Sequence, residues 1–268
     1  MVADVKRRLR RGVLAFAFVT VGLSLTTPLA FWDVLGVPFF YVLLPALALA
    51  QLPLLETEEL ERMSVYAGSA LTILTIGAIG LTLGWRLDSL AALGLRGLPA
   101  AELWIWTLGV TAAGLAVIAV FVPFDRTLRS DRGNFLIRLL PRTSREKFAF
   151  VGLSASAGIG EELAYRGYAL LSVQLLGPGP WTAAALSSAA FGFLHAYQGA
   201  VGILRTAIMG FILATPVLVT GSLLPAIIAH ALIDLVAGLL LGPRLVARHE
   251  DGSASTEPGG LVPPSPSE

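Results

Sequence analysis

The chain has 268 residues, 55% hydrophobic and only 14% charged, and its mean hydropathy is +0.76. A soluble domain carries about 25% charged residues, so this composition excludes an ordinary soluble domain and predicts an integral membrane protein. The net charge of +1 gives no basis for nucleic-acid binding, and the absence of cysteine excludes thiolate nucleophiles, disulfides and cysteine-ligated metals.

The first predicted element is a membrane helix over residues 12–32, preceded by five basic residues between Lys6 and Arg11. A secretory signal peptide would have an apolar run of about 7–15 residues. The run after Arg11 is longer than that, and further apolar segments follow it. We therefore interpret this segment as an uncleaved first helix rather than as a signal peptide.

Eight segments have the length of about 20 apolar residues that a helix needs to cross a bilayer. The predicted fold class is therefore all-α, a polytopic membrane helical bundle of about eight transmembrane helices. The seventh span is the weakest, because it contains Arg205 and Pro216, and we interpret Arg205 as a cation that reaches the lipid headgroups. The spans are predicted at 12–32, 36–54, 63–85, 103–123, 148–172, 181–198, 200–219 and 222–242.

Basic residues in the short loops predict the orientation of the chain. Five precede the first span, and seven lie between residues 125 and 147. An eight-span topology places both groups in the cytoplasm, so both termini are predicted to be cytoplasmic, with the protein in the plasma membrane. The loop over 86–102 then faces outward, and residues 87–98 are predicted to form a short amphipathic helix along the interface.

These features divide the chain into three predicted parts. Residues 1–144 form an N-terminal transmembrane region with four helices and a basic cytoplasmic loop. Residues 145–242 form a second membrane region. Residues 243–268 are rich in proline, serine, glycine and acids without periodicity, which predicts a disordered cytoplasmic tail.

Ionisable residues occur in the spans of the second half of the chain, where a charge costs on the order of 2.5–3.5 kcal/mol and is usually functional. Two acids, two imidazoles and a third acid are enough to activate a water molecule. They form three patterns, which contain Glu161, Glu162 and Arg166, then Phe191 and His195, then His230 and Asp234.

In the first pattern, Glu162 and Arg166 are four residues apart, so they share a helix face and can pair. A buried salt bridge between two helices would account for both residues, but it leaves Glu161 without a role. Two adjacent carboxylates at membrane depth disfavour double ionisation. One of the two glutamates is therefore suited to act as a general base or acid.

The two histidines each allow a structural and a functional interpretation. His195 lies one turn after Phe191, and a lone histidine in a helix bundle is commonly a hydrogen-bonded core residue. His230 and Asp234 are four apart on one face of the last span, where Asp234 could orient the imidazole structurally. In the functional interpretation, His230 is a metal ligand or a hydrogen-bond donor to an oxyanion.

The order and spacing of the three patterns resemble those of the CPBP family of intramembrane proteases. That family includes the type II CAAX prenyl endopeptidases and the Abi bacteriocin-immunity proteins. Its signature is Glu-Glu-x-x-x-Arg, then Phe-x-x-x-His, then His-x-x-x-Asn or Asp. Gly167, Tyr168 and the segment 220–223 also resemble the family. The resemblance covers about residues 145–242 and implies that this segment is a catalytic core like that of the CAAX proteases, whereas the first four spans match only in being hydrophobic.

The resemblance implies that the protein hydrolyses a peptide bond within or at the membrane. Glu161 would activate water with the help of His195. His230 and the side chain at position 234 would stabilise the oxyanion. The remaining two residues of the first motif, Glu162 and Arg166, would pair and position that motif.

Family members are usually named metalloproteases, but a metal-free glutamate mechanism is also argued for them. This chain has Asp234 where one form of the signature has asparagine, and an ionised aspartate cannot donate to an oxyanion. Asp234 is then protonated, or it orients His230, or the site holds a cation. We slightly favour a divalent metal, zinc first, over no cofactor. Its candidate ligands are Glu161, His195, His230 and Asp234.

The predicted partners are the lipid bilayer and a membrane-associated peptide or protein substrate, with no nucleic acid. Nothing in the chain demands a prenylated substrate, although the resemblance allows one. The alternative is a non-proteolytic membrane protein on the same scaffold, such as an immunity factor or a partner protein. A transporter would show paired repeats with broken helices, which the sequence lacks.

Overall fold

The computed structural model describes residues 2–55, 61–87, 93–127 and 138–242. Over these residues the chain is helical and contains no β-strand. The predicted tail at 243–268 and the middle of the predicted basic loop, at 128–137, lie outside the described residues. The structure is therefore an all-α bundle, as the hydropathy pattern predicts.

The described residues form eight main helices. They are α1 (Val2–Thr26), α2 (31–50), α3 (Arg62–Trp85), α4 (Ala100–Thr127), α5 (144–174), α6 (Pro180–Leu194), α7 (Gly199–Thr220) and α8 (Leu224–Leu241). Three of them contain π-helical turns, at Phe39–Leu43 in α2, Leu163–Ala169 in α5 and Val236–Leu241 in α8. A short helix, Leu52–Leu55, follows α2, and a 3₁₀ turn, Ala196–Gln198, joins α6 to α7.

Each of the eight predicted spans coincides with one of these helices. Six of the helices are long and apolar enough to cross a membrane: α1, α2, α3, α4, α7 and α8. The seventh span, predicted to be the weakest, is among them. The other two carry part of the candidate site: α5 has charged residues in its first turn and around its middle, and α6 has only 15 residues, which is roughly 22 Å of helix. The chain is thus a multi-pass membrane protein, and crossing by α5 and α6 stays a prediction.

The first helix differs from the predicted span at both ends. Its helical structure begins at Val2, so the basic residues belong to the helix, and it ends at Thr26 rather than near residue 32. The early end follows from Pro28, which has no backbone N–H and disfavours helical conformation in the residue before it. The next helix then begins at Phe31.

The amphipathic helix predicted over 87–98 is wrong where the structure describes it. Residues 93–98 form a turn followed by non-helical chain, and 88–92 lie outside the described residues. Gly94 has a φ of +80°, a conformation that a helix cannot accommodate and that glycine adopts readily. The helical spacing of apolar residues in this loop therefore does not predict its backbone conformation.

The loop over residues 93–98 forms hydrogen bonds to the turn that joins α7 to α8. The Leu223 backbone N–H donates to the Gly94 carbonyl at 2.8 Å. The Arg96 guanidinium donates to the Thr220 carbonyl at the end of α7, and the Ser222 hydroxyl donates to the Arg96 carbonyl at 2.8 Å. The start of α8, the helix that carries His230, is therefore attached to a loop that precedes α4.

Helix α5 occupies the centre of the bundle, between α3 and α8, while α8 also packs on α4 and α6 packs on α7. Glycines allow these close approaches. A Cβ atom at Gly160 would lie 2.6 Å from the Ile73 carbonyl oxygen on α3, and one at Gly158 would lie 2.6 Å from the Ile227 carbonyl oxygen on α8. Because backbone meets backbone here, glutamate side chains at the end of this part of α5 can reach α8.

The N-terminus of α5 is fixed by a capping box. The Thr143 side chain accepts from the Glu146 N–H, and the Glu146 carboxylate accepts from the backbone N–H groups of Thr143 and Arg142. These backbone hydrogen bonds, together with the Arg62 guanidinium, lower the pKa of Glu146 to about 2. The cap and the Arg62 contact tie the start of α5 to α3.

Candidate active site

Glu162 and Arg166 form a buried ion pair at the junction where the regular part of α5 changes to its π-helical turn. Arg166 Nη1 donates to Glu162 Oε1 at 2.8 Å, and the two side chains are 1% and 0% exposed. The same oxygen accepts from His230 Nδ1 on α8 at 2.7 Å. The ion pair that the spacing of Glu162 and Arg166 predicts is therefore present. The hydrogen bond from His230 also joins the third motif to it.

Arg166 also connects α5 to α6 and α7. Its guanidinium carbon lies 4.3 Å from the centre of the Phe191 ring on α6, and its Nε donates to the Gly210 carbonyl on α7 at 3.3 Å. A Cβ atom at Gly210 would lie 2.7 Å from Arg166 Nη2. The absence of a side chain at this position therefore makes room for the guanidinium.

His230 is surrounded by three carboxylates. Its Nδ1 is bonded to Glu162, while its Nε2 lies 3.6 Å from Glu161 Oε2 and 3.9 Å from Asp234 Oδ2. Glu162 is held by Arg166 as an ionised acceptor, so Nδ1 carries a proton. In the neutral ring, Nε2 is consequently a lone-pair acceptor facing Glu161 and Asp234.

The two adjacent glutamates have different surroundings. The Glu162 side chain is fully buried, whereas those of Glu161 and Asp234 are 15% and 37% exposed. Glu162 is thus enclosed by Arg166 and His230, while Glu161 remains in reach of a small molecule. One of the two carboxylates is therefore enclosed in an ion pair, and the other is partly exposed.

His195 lies at the point where α6 ends, with φ −92° and ψ 21°. Its Nδ1 donates to the Phe191 carbonyl at 3.1 Å. The Phe191 ring lies between the two histidines, with its centre 4.8 Å from the His195 ring and 6.1 Å from the His230 ring. The structure therefore brings Glu161, Glu162, Arg166, His230 and Asp234 into direct proximity, and it connects His195 to them through Phe191.

All six candidate residues fall within one match to a known family. Residues 143–236 match the family model described as Rce1-like, type II CAAX prenyl endopeptidase Rce1-like. Over these residues the chain is similar to the Rce1-like family, whose description is that of a peptide hydrolase. No curated protein and no solved structure matches the chain.

The Rce1-like match coincides with the segment predicted as the catalytic core, and the first four helices lie outside it. Two of those four helices nevertheless pack against the helices that carry the candidate residues. Helix α3 packs on α5, and α4 packs on α8. The division of the chain into three parts stays a prediction.

Sequence reasoning did not single out Tyr197 as a site residue. Tyr197 follows His195 by two residues in the 3₁₀ turn, and the centres of the two rings are 5.8 Å apart. Its position directly after the Phe-x-x-x-His motif was the available signal, but the spacing alone does not show which way that turn folds.

The metal expectation requires a set of ligands with convergent positions. In the part of the chain that the structure describes, no three histidine, aspartate or glutamate side chains are arranged to hold a metal ion. The nearest atoms of His230, Glu161 and Asp234 are separated by 3.6 and 3.9 Å. Both imidazoles bond through Nδ1, which leaves Nε2 of each ring as the atom that a metal would use. Zinc therefore stays a prediction.

Proposed function

We propose that the protein is an intramembrane endopeptidase that hydrolyses a peptide bond of a membrane-associated substrate with water activated by Glu161. The supporting observation is the contrast between two neighbouring glutamates. Glu162 is enclosed in a pair with Arg166 and His230, whereas Glu161 is partly exposed beside His230. A general base must be reached by the water molecule whose proton it takes, and polar neighbours adjust its affinity for that proton.

In the first step, Glu161 takes a proton from a water molecule as the oxygen of that water attacks the scissile carbonyl carbon. The carbonyl π bond opens and a tetrahedral oxyanion forms. Glu161 then delivers the proton to the departing amine nitrogen as the C–N bond breaks, which yields a free carboxyl and a free amine. His195, whose Nδ1–H is engaged by the Phe191 carbonyl, offers Nε2 as an acceptor that orients the water.

The oxyanion is stabilised by hydrogen-bond donors and positive charge. His230 Nε2 can donate to it when the ring carries both protons, since Nδ1–H is committed to Glu162. Asp234, 3.9 Å from this Nε2, orients the ring and offsets its charge. Arg166 acts at a distance, by fixing the carboxylate that holds His230.

The location of the site and the matched family model support one substrate class. Glu161 and His230 lie on helices of a membrane bundle, so the scissile bond must reach the bilayer or its surface. The name of the matched family is that of an endopeptidase of prenylated CAAX proteins. A peptide with a prenylated cysteine near its C-terminus is therefore the first substrate to examine.

The proposal is tested with purified protein in lipid vesicles and matched membrane-associated peptides. One peptide carries a prenylated C-terminal CAAX sequence, a second has the same sequence attached by another lipid, and a third has a different sequence. We expect cleavage of at least the prenylated peptide at one bond, identified by mass spectrometry, and no cleavage by Glu161→Gln. If no membrane-associated peptide in the panel is cut, or if Glu161→Gln cuts equally well, the proposal fails.

Whether cleavage needs a bound metal ion is tested separately, with a chelator and by elemental analysis. The mechanism uses only side chains and water, so we expect activity to persist after treatment with a chelator. Elemental analysis of the active protein is expected to find no stoichiometric zinc. Stoichiometric metal whose removal abolishes cleavage, and whose return restores it, would contradict the metal-free step while leaving the peptidase proposal in place.

A further inference from the structure

Two π-helical turns pack against each other where α2 meets α5. They are Phe39–Leu43 in α2 and Leu163–Ala169 in α5, and residues of both lie in one buried hydrophobic cluster. Such turns are rare and are frequent at functional sites. The turn in α5 contains Arg166, which forms the buried ion pair with Glu162. The contacts that hold this turn therefore also set the position of the ion pair.

The π-helical turn of α2 makes a backbone carbonyl available to α5. The Leu44 N–H donates to the Phe39 carbonyl, five residues before it, and Pro45 has no N–H. The Phe40 carbonyl is therefore left without the two donors that a regular helix or a continued π-helix would offer it. It accepts instead from the Tyr165 hydroxyl in the turn of α5, at 3.4 Å.

Two side-chain hydrogen bonds join the same two elements. The Tyr41 hydroxyl of α2 donates at 3.0 Å to the carbonyl of Ala169, the last residue of the turn in α5. The Tyr168 hydroxyl donates to Asp33 Oδ1 at 3.1 Å, and both of these side chains are buried. A Cβ atom at Gly36 would clash with the Tyr168 hydroxyl, so this glycine of α2 makes room for the phenol.

The turn in α5 is connected to the catalytic groups in two ways. Arg166 binds Glu162, and the same carboxylate oxygen accepts from His230 Nδ1 at 2.7 Å. The Tyr165 ring lies against the Phe191 ring, with 5.3 Å between their centres. A movement of the turn would therefore displace both the ion pair and the aromatic ring that lies between the two histidines.

We propose that Asp33 and Tyr41 are positioning residues of the site, which hold the π-helical turn of α5 in the conformation that directs Arg166 into its ion pair. Both lie outside residues 143–236, the segment that matches the family model. Helix α2 is thus part of the machinery that keeps the site in order, although it carries none of the three sequence motifs. This inference rests on the proposed peptidase function.

Removal of the Tyr41 hydroxyl tests the bond to the end of the turn. In Tyr41→Phe we expect kcat per folded molecule to fall by about 10–10²-fold, the effect of a small misplacement of catalytic groups, with KM near that of the parent. The control is Tyr66→Phe, which also removes a tyrosine hydroxyl that donates to a backbone carbonyl, that of Leu139, and should keep the parent kcat. Equal kcat values for the two folded variants would overturn the proposal.

The bond between Asp33 and Tyr168 is tested from both of its ends. Asp33→Leu removes the acceptor and Tyr168→Phe removes the donor, so both are expected to lower kcat per folded molecule. Asp33→Asn keeps an oxygen that can accept from the phenol, and we expect its kcat to stay near that of the parent. Should Asp33→Leu fail to fold, Tyr168→Phe decides. Parent kcat in folded Tyr168→Phe, or an equal loss in Asp33→Asn, would overturn the role of Asp33.

A spectroscopic measurement tests the positioning role without cleavage. With ¹⁵N-labelled histidine in the full chain in lipid particles, the His230 Nδ1–H signal reports the bond to Glu162. We expect this signal to shift in Tyr41→Phe and in Tyr168→Phe and to stay fixed in Tyr66→Phe. A His230 signal that is unchanged in both of the first two variants would overturn the proposal and leave the peptidase function standing. If the signal shifts but the parent cleaves no peptide, the peptidase function fails and the hold of α2 on the ion pair stands.

Discussion

At the scale of single residues, the site depends on the different uses of two neighbouring glutamates. One turn of helix separates Glu162 from Arg166. The two side chains form an ion pair with 2.8 Å between Arg166 Nη1 and Glu162 Oε1, and both are buried. Glu161 points about 100° away along the same helix and faces His230 at 3.6 Å. Identical side chains thus have different surroundings through their position on one helix, and we propose a structural role for Glu162 and a chemical role for Glu161.

Glu162→Gln is expected to destabilise the protein. The amide removes the counter-charge of Arg166, which stays buried, and breaking one partner from a buried pair costs about 3–5 kcal/mol. Chemical unfolding in detergent measures the loss. Glu102→Gln, at the start of α4 and away from the site, is the matched control with a change within about 0.5 kcal/mol. Equal stability of the two variants would contradict the structural role of Glu162.

Asp234→Asn distinguishes the two chemistries of the third motif. In the metal-free mechanism, the amide adds a donor near the oxyanion, so activity is kept or raised and a chelator has no effect. If Asp234 serves a metal through His230, the same change weakens metal binding by about 10–100-fold. Activity would then fall and recover with added metal, which a titration of zinc against cleavage rate would reveal.

Part of this residue-scale arrangement could be predicted from the sequence. The spacing of four between Glu162 and Arg166 predicts their pairing, because it depends on one helix only. The bond from His230 to the same carboxylate joins residues 68 positions apart and depends on how α5 meets α8. For the same reason, the position of Tyr197 could not be derived from its distance to His195 in the chain.

At the scale of elements, the helices around the site approach one another through positions without side chains. Arg166 reaches Phe191 on α6 and Gly210 on α7 because α7 has no Cβ atom at that point. The hydrophobic pattern predicts the helices themselves. It does not predict the non-helical loop at 93–98, whose conformation is set by bonds to Thr220, Ser222 and Leu223.

Gly210→Ala is expected to displace the guanidinium of Arg166. The added Cβ atom would lie 2.7 Å from Arg166 Nη2 and 3.2 Å from the Phe191 ring, and overpacking of this kind costs about 1–3 kcal/mol. Activity per folded molecule should fall as well, since Arg166 fixes Glu162. Gly109→Ala, where a Cβ atom meets nothing within 4 Å, serves as the control and should be neutral or stabilising. Parent-like behaviour of Gly210→Ala would contradict the packing described.

At the scale of the whole molecule, eight helices in the described residues agree with eight predicted spans. Length and composition support crossing for six of them. Of the two helices that carry the first and second motifs, α5 contains charged residues and α6 has only 15 residues. Hydropathy therefore predicts most of the membrane-spanning helices, and it is least informative for the two helices that carry the first and second motifs.

The orientation of the chain is tested with reporter fusions. The eight-span topology and the basic loops place the segment after Glu102 on the outer end of α4, and the segment after Lys147 in the cytoplasm. Reporters joined after these two residues are therefore expected to lie on opposite sides of the membrane. Two reporters on the same side would show that the topology is wrong between them.

The central claim, that Glu161 activates water, is tested most directly by the turnover of Glu161→Gln. The amide has nearly the same shape but cannot take a proton, so the account predicts a loss of kcat of at least about 10²–10⁴, the contribution of a general base. Folding and membrane insertion should be unchanged, because the buried pair of Glu162 and Arg166 is intact. Cleavage by folded Glu161→Gln at the parent rate would contradict the account.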